Sequence, residues 1–293
     1  MKILHIISTL SPRNGGPTKV CEEIASYQTK YGHKVTICTT NRDNPYPIKL
    51  NVQQNIPIVQ DGITKIFFAA YSPLLFSLSM LIWLKKNIAY YDIIHIHGLY
   101  RFPTTFAAML SRMVNKPFII RPHGSLDPFL YKQSKNNLLI KRVYEKLFDV
   151  PNLNKASAIH YTTEEEKELV SFLKLRSPSF VLPNGIDWKK FEKLPSKGNF
   201  RSKISINGSV PLLLFLGRID FKKGLDLLIP AFVKVTKVIP DIRLAIVGPD
   251  NDGYLKEIKK LVHQYNLEKI IYFGGHFSED EVKEAYVDSN LFV

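Results

Sequence analysis

The chain has 293 residues, 45% of them hydrophobic and 23% charged, and its 40 Lys and Arg against 26 Asp and Glu give a formal net charge of +14. That composition can bury real cores, which excludes collagen-like, disordered and coiled-coil chains, and the length fits two domains of moderate size. The charge implies an anionic counterpart: a phosphorylated metabolite, a membrane surface or nucleic acid. Two cysteines, Cys21 and Cys38, make no disulfide framework and point to a reducing cytoplasm.

The apolar run after Met1-Lys2 is too short for a secretory signal. KILHIIS reads as a strand buried on both faces, as in the centre of a parallel sheet. A turn-rich stretch leads to a helix over 18–31, with Val20, Ile24 and Tyr27 on its inner side. The strand KVTICTT follows. Residues 66–84 carry no charge and approach a membrane span in length, but they break at Tyr71-Ser72-Pro73 into a strand and a short buried or interfacial helix. Next come the strand DIIHIHG, a helix near 102–114 and the strand PFIIRPHG. A basic amphipathic helix is expected over 135–148, with Leu139, Val143 and Leu147 inward and Lys141, Arg142 and Lys146 outward. The strand SAIHYT enters a helix whose start, Thr163-x-x-Glu166, is a capping box. SFVLPNGID closes this half.

A polar stretch over 193–209 separates a second series: strand PLLLFLGR, a helix over 224–238, strand IRLAIVG, a helix over 254–265, strand KIIYFGG, a helix capped by Ser278-x-x-Glu281, and the strand start Leu291-Phe292-Val293. Alternating strands and helices predict parallel sheets with right-handed crossovers. Domains are expected over 1–192 and 193–293. The second has too few βα units for a complete doubly wound fold, so the chain reads as a fragment.

In such sheets, ligands bind beyond the carboxyl ends of strands, near helix N-termini. Gly15-Gly16-Pro17-Thr18 stands at one such place, either as an anion-binding loop or as a tight turn. It is not G-x-G-x-x-G, and the second strand ends Thr39-Thr40-Asn41 with no acidic residue for a ribose, which disfavours a nicotinamide site. His95 and His97 share a strand face, but no Cys or His spacing completes a metal site, so none is expected. His97 and His123 stand at strand ends, where a neutral imidazole can donate to a sugar hydroxyl; the alternative is a structural histidine. Arg218 and Lys223 put two cations at a strand-to-helix junction suited to a diphosphate, with a solvated pair as the alternative. Gly248-Pro249-Asp250 and Gly274-Gly275-His276 are further turns at strand ends of the same domain. Basic residues are scattered and no zinc-finger or RNP1-like signature is present, so nucleic acid is not the expected partner. The basic helix, preceded by Phe129-Leu130-Tyr131, fits an anionic membrane surface through Lys132, Lys135, Lys141, Arg142 and Lys146.

The Gly15-Gly16 turn, RPHGSLDP, PNGID, FLGRIDFKKGLDLLI, LAIVGPD and YFGGHFSEDEV, in that order, resemble family 4 retaining glycosyltransferases of the GT-B fold. The resemblance implies an α/β protein of two Rossmann-like doubly wound domains facing a cleft, the N-terminal one for the acceptor and the second, incomplete here, for a nucleotide sugar. Arg218 and Lys223 match the diphosphate-contacting pair, Gly16 the loop near the distal phosphate and acceptor, and His123 the histidine near the transferred sugar. Asn184 and Gly185 match the hinge-side motif, and Gly275 with its neighbours, His276 among them, the loop against the base. The implied reaction moves a hexose from a UDP- or GDP-sugar to a carbohydrate or lipid-linked hydroxyl with retention, in polysaccharide or glycolipid synthesis. It uses no cofactor and no metal, at a cytoplasmic or peripheral membrane location. A nucleotide-sugar epimerase or hydrolase, or an inactive nucleotide-binding fragment, are the alternatives. The family's glutamate pair would fall beyond Val293, so activity of these 293 residues does not follow from the resemblance.

Overall fold

The computed structural model describes residues 1–43, 47–72, 74–129, 138–250 and 253–293. They fall into two compact units, Met1–Gly185 and Ile186–Val293.

In the first unit, eight strands form one sheet: β1 (Lys2–Thr9), β2 (Lys34–Thr40), β3 (Pro57–Gln60), β4 (Ile63–Phe68), β5 (Ile93–His97), β6 (Phe118–Arg121), β7 (Ala158–Tyr161) and β8 (Ser179–Val181). Their order is β3-β4-β2-β1-β5-β6-β7-β8. Every neighbouring pair is parallel except the hairpin β3–β4, which the sequence reading lacks. β1 is buried on both faces because side chains alternate across a strand. Leu4 and Ile6 join a core with Met80 and Leu84 of α2 (Leu78–Asn87) and Ala107 and Ala108 of α3 (Phe102–Met113). Ile3 and Ile7 pack on the other side with Cys21 and Ala25 of α1 (Gly16–Lys30). Both cysteines are free and buried.

The inner face of α1 is Thr18, Cys21 and Ala25, whereas Tyr27 is exposed. Small side chains let this helix lie close to the sheet, so the face expected from Val20, Ile24 and Tyr27 is rotated. The uncharged run over 66–84 divides between β4 and the ten-residue α2; Pro73 lies outside the described residues. No helix among the described residues is long and apolar enough to cross a membrane.

The basic segment departs most from expectation. It comprises α4 (Leu138–Tyr144), a π turn (Glu145–Asp149) and α5 (Val150–Leu153). Leu139 is 76% and Leu147 61% exposed, with Ile140 and Val143 also outside, whereas Glu145 and Asp149 are buried. The inward polar groups have partners that no local pattern announces. Tyr100 Oη donates to Glu145 at 2.6 Å, and Asp149 accepts from the Tyr100 N–H at 3.2 Å. Burial pushes the Asp149 carboxyl up to about 7. Lys132 and Lys135 lie outside the described residues. A final short helix, α6 (Glu164–Leu169), follows β7.

The second unit has a parallel sheet of order β11-β10-β9-β12, from β9 (Leu212–Leu216), β10 (Arg243–Val247), β11 (Ile271–Gly275) and β12 (Leu291–Phe292). On one face, α8 (Leu225–Thr236) and α9 (Leu255–Gln264) supply Ile229, Phe232, Ile258 and Val262 to a core with Leu244 and Ile246. On the other, Phe200 of α7 (Asn199–Lys203) and Ala285 of α10 (Glu279–Asp288) meet Leu212, Leu214 and Val247. The stretch over 193–209 is therefore more than a polar connector. The Asp288 carboxylate accepts from the N–H groups of Gly198, Phe200 and Arg201 at 2.6, 2.8 and 3.1 Å. The buried Arg201 guanidinium donates to the carbonyls of Asp288, Asn207 and Val210 and to Asn290 Oδ1.

Candidate active site

Four strand ends of the first unit, those of β1, β6, β7 and β8, converge on a pocket of about 430 Å³, whose lining includes Gly16, Pro17, His123, Gly124, Glu166 and Asn184. After β1 the chain turns through Gly15, at φ +71°, into α1. A side chain placed on Gly16 would meet nothing within 4 Å, so its backbone lies open to a ligand beside the positive end of a 15-residue helix. β6 runs into Pro122-His123-Gly124, and β8 leads to Asn184-Gly185.

Two groups without an assigned role in the sequence reading hold this pocket together. Arg121, 1% exposed at the end of β6, donates from its terminal nitrogen to Asn184 Oδ1. Its Nε has no hydrogen-bond partner among the described residues. Glu166 looks like half of a capping box, and Thr163 Oγ1 does accept from the Glu166 N–H at 3.0 Å. Its carboxylate goes elsewhere. Oε1 accepts from the Gly124 N–H at 2.7 Å, and Oε2 accepts from the N–H and hydroxyl of Thr162, each at 2.7 Å. Glu166 thus pins the loop that carries His123. The only sequence signal for it was the cap.

Histidines form a layer behind the pocket. Register pairs His5 with His95 and His97 with Arg121, so these side chains share one sheet face. His97 is 2% exposed and does not line the pocket. It reaches the pocket through His123: His97 Nδ1 lies 3.2 Å from His123 Nε2, and His97 Nε2 lies 3.0 Å from His5 Nδ1. His5 Nε2 in turn lies 2.7 Å from Gln28 Oε1 of α1. Burial pushes His5 down to about 4 and His123 down to about 3, with the Arg121 charge adding to the second shift. Burial holds His95 and His97 well below the usual imidazole range. These rings are neutral at pH 7. His5, Cys21 and His97 offer potential ligand atoms within 4.8 Å of one another, but both ring nitrogens of His5 and of His97 already serve the hydrogen-bond chain. The His95 ring lies 4.3 Å from that of His97, and its Nε2 is buried with no hydrogen-bond partner among the described residues.

In the second unit, Arg218 follows β9 by two residues, and Lys223 ends a 3-10 turn, Phe221–Lys223, just before α8. Asp220 Oδ1 caps that turn by accepting from the Lys222 N–H at 2.9 Å. Neither the Arg218 guanidinium nor the Lys223 ammonium has a hydrogen bond or ion pair among the described residues. The loops after β9, β10 and β11 are tied by backbone bonds: Gly217 N–H to Val247 O at 3.0 Å, Ile219 N–H to Pro249 O at 2.9 Å, and Gly248 N–H to Gly275 O at 2.7 Å. Gly248 sits at φ +149°, and a Cβ there would lie 1.8 Å from Gly217 O. The loops that carry Arg218, Gly248 and Gly275 are thus neighbours, and His276 continues the third loop, exposed to solvent.

A family model for Glycosyltransferase Family 4 matches residues 14–190, and one for Glycosyl transferases group 1 matches residues 196–293. The chain belongs to glycosyltransferase family 4. This family 4 chain is 23% identical, along its whole length, to alpha-monoglucosyldiacylglycerol synthase of Streptococcus pneumoniae, and it spans 65% of that protein. Its fold is similar to that of sucrose-phosphate synthase from Thermosynechococcus elongatus, with a TM-score of 0.74 and 18% identity over all of this chain and 74% of the synthase. Anabaena HepE in complex with UDP and glucose gives a TM-score of 0.71 and 20% identity over all of this chain and 73% of HepE. The two units are the Rossmann-like pair of a GT-B glycosyltransferase.

Proposed function

We propose that this family 4 protein transfers a hexose from a UDP- or GDP-sugar to a hydroxyl of a carbohydrate or lipid-linked acceptor, with retention and without a metal ion. The observation that carries the proposal is that Arg218 and Lys223 follow β9 with no hydrogen bond or ion pair among the described residues, on a loop tied by backbone bonds to the loop of Gly248, which is tied in turn to the exposed Gly275. The departing diphosphate gains negative charge as the glycosidic bond breaks, and fixed cations stabilise it there most strongly. Gly248, Gly275 and His276 frame the nucleotide, while Gly16, His123 and Asn184 receive the sugar and acceptor. HepE, with a similar fold, binds UDP and glucose, which supports the donor class. The Streptococcus pneumoniae relative is a glycolipid synthase, which supports a lipid-linked acceptor.

Lys223→Ala tests the proposal. Loss of one charge-stabilising donor at a developing anion costs about 3 kcal/mol, or roughly 10²–10³-fold in turnover. Hexose transfer from UDP- and GDP-sugars, with the anomeric configuration of the product read by NMR, should show that loss and retention in the residual product. Near-normal turnover would refute the role of Lys223. Calorimetric titration of the 293-residue chain with UDP and GDP asks whether this length alone holds the nucleotide.

An anionic membrane surface remains the proposed location of the acceptor. The outward Leu139, Ile140, Val143 and Leu147 stand among the exposed basic Arg142 and Lys146, which suits an apolar stripe entering lipid under cationic flanks.

A further inference from the structure

Gln28, His5, His97 and His123 make a hydrogen-bonded line from α1, through β1 and β5, to the pocket wall, with steps of 2.7, 3.0 and 3.2 Å. We infer that Gln28, His5 and His97 are positioning residues that fix the tautomer of His123, leaving its Nδ1 as a bare acceptor for a substrate hydroxyl. This rests on the reading of the pocket as the site that receives sugar and acceptor.

The direction of the chain follows from its inner end. Gln28 Oε1 has only lone pairs, so His5 Nε2 carries the proton that meets it. A neutral His5 then presents a bare Nδ1, which must accept from His97 Nε2–H. The bare Nδ1 of His97 likewise accepts from His123 Nε2–H. His123 Nδ1 is left with a lone pair and no partner among the described residues, on a ring that lines the pocket. The opposite polarity needs the Gln28 amide turned end for end, so that its Nε2–H donates to a bare His5 Nε2, and it would leave His123 protonated on Nδ1. The sequence alone suggested an imidazole that donates to a sugar hydroxyl; the chain makes His123 an acceptor instead. A neutral amide oxygen takes up no proton at pH 7, so the line sets an orientation and carries no charge away.

The test is histidine tautomer spectroscopy on the 293-residue chain, with ¹⁵N-labelled imidazoles and long-range proton–nitrogen correlation at pH 7. His123→Asn, by removing one ring's signals, assigns that ring. His5, His97 and His123 should each show a protonated Nε2 and a bare Nδ1. In Gln28→Leu the terminal acceptor is gone, and the His123 pattern should move to a mixture of both neutral forms. A protonated Nδ1 on His123 in the unmodified chain overturns the inference, whether or not Gln28→Leu folds. An unchanged His123 pattern in folded Gln28→Leu overturns the part assigned to Gln28. Neither readout depends on transfer, so failure of the transferase reading leaves the tautomer result standing and is recognised separately.

Discussion

Gly248→Ala isolates the close approach of the loops in the second unit. The added methyl would lie 1.8 Å from Gly217 O, a backbone atom that cannot swing aside as a side chain can. The loop must move, and with it the bonds from Gly217 N–H to Val247 O and from Ile219 N–H to Pro249 O. Losing one or two such bonds costs about 1 kcal/mol each. The backbone at φ +149° adds roughly 1–3 kcal/mol for a residue with a side chain. The expected loss is about 3 kcal/mol, which lowers a urea midpoint by roughly 1–3 M at ordinary slopes. Gly275→Ala is the control: it also has positive φ, at +69°, but its Cβ would meet nothing within 4 Å. That variant should lose only about 1–2 kcal/mol. The comparison is made by urea unfolding, with fluorescence and circular dichroism as probes. If Gly248→Ala costs no more than Gly275→Ala, the contact with Gly217 does not govern the site.

Acid should destabilise the first unit. His5 titrates near 4 when folded and near 6.5 when unfolded, so the unfolded state binds more protons between those values and stability falls as pH drops through that window. From pH 7 to pH 5, His5 and His123 each account for a loss of about 2 kcal/mol, while Asp149, raised to about 7, returns about 2 kcal/mol over the same span; a net fall is expected, and equal urea midpoints at the two pH values would contradict a neutral buried layer. Glu166→Gln keeps one acceptor oxygen but turns an amide donor toward either Gly124 or Thr162. A loss of about 2 kcal/mol is expected, with faster hydrogen exchange at the Gly124 amide; unchanged exchange there would remove Glu166 as the clamp. Co-sedimentation with vesicles of anionic lipid should weaken as salt shortens the Debye length from about 10 Å to about 3 Å, and Arg142→Glu with Lys146→Glu should abolish it. Equal binding to neutral vesicles would discount the charge.

The strand-and-glycine framework was legible in the chain because it is written locally. Continuous apolar runs marked β1, β9 and β10, and glycine turns marked the ends where Gly16, Arg218 and Gly248 stand. What escaped depends on partners remote in sequence. The helix over 138–153 turns Glu145 and Asp149 inward because Tyr100 and Thr105 bond to them, while local periodicity favoured Leu139, Val143 and Leu147 for that place. The histidine layer needs three strands in register before His5, His97 and Arg121 become neighbours. One cue was available: His5 is a polar residue in the middle of an otherwise apolar strand. Glu166 carried a signal with a second meaning, since the spacing that caps a helix also reaches the Gly124 loop.

The anchoring of α7 by Asp288 bears on how the polypeptide matures as it leaves the ribosome. Every hydrogen bond that ends this short helix on its N-terminal side waits for a carboxylate near the last strand. The N-terminal sheet makes none of these bonds and can close while synthesis continues, whereas α7 gains its N-terminal acceptor only after Asp288 has emerged. Nascent chains arrested before residue 288 should expose Phe200 and Arg201 to chaperones or proteases, and release of a few more residues should bury both together.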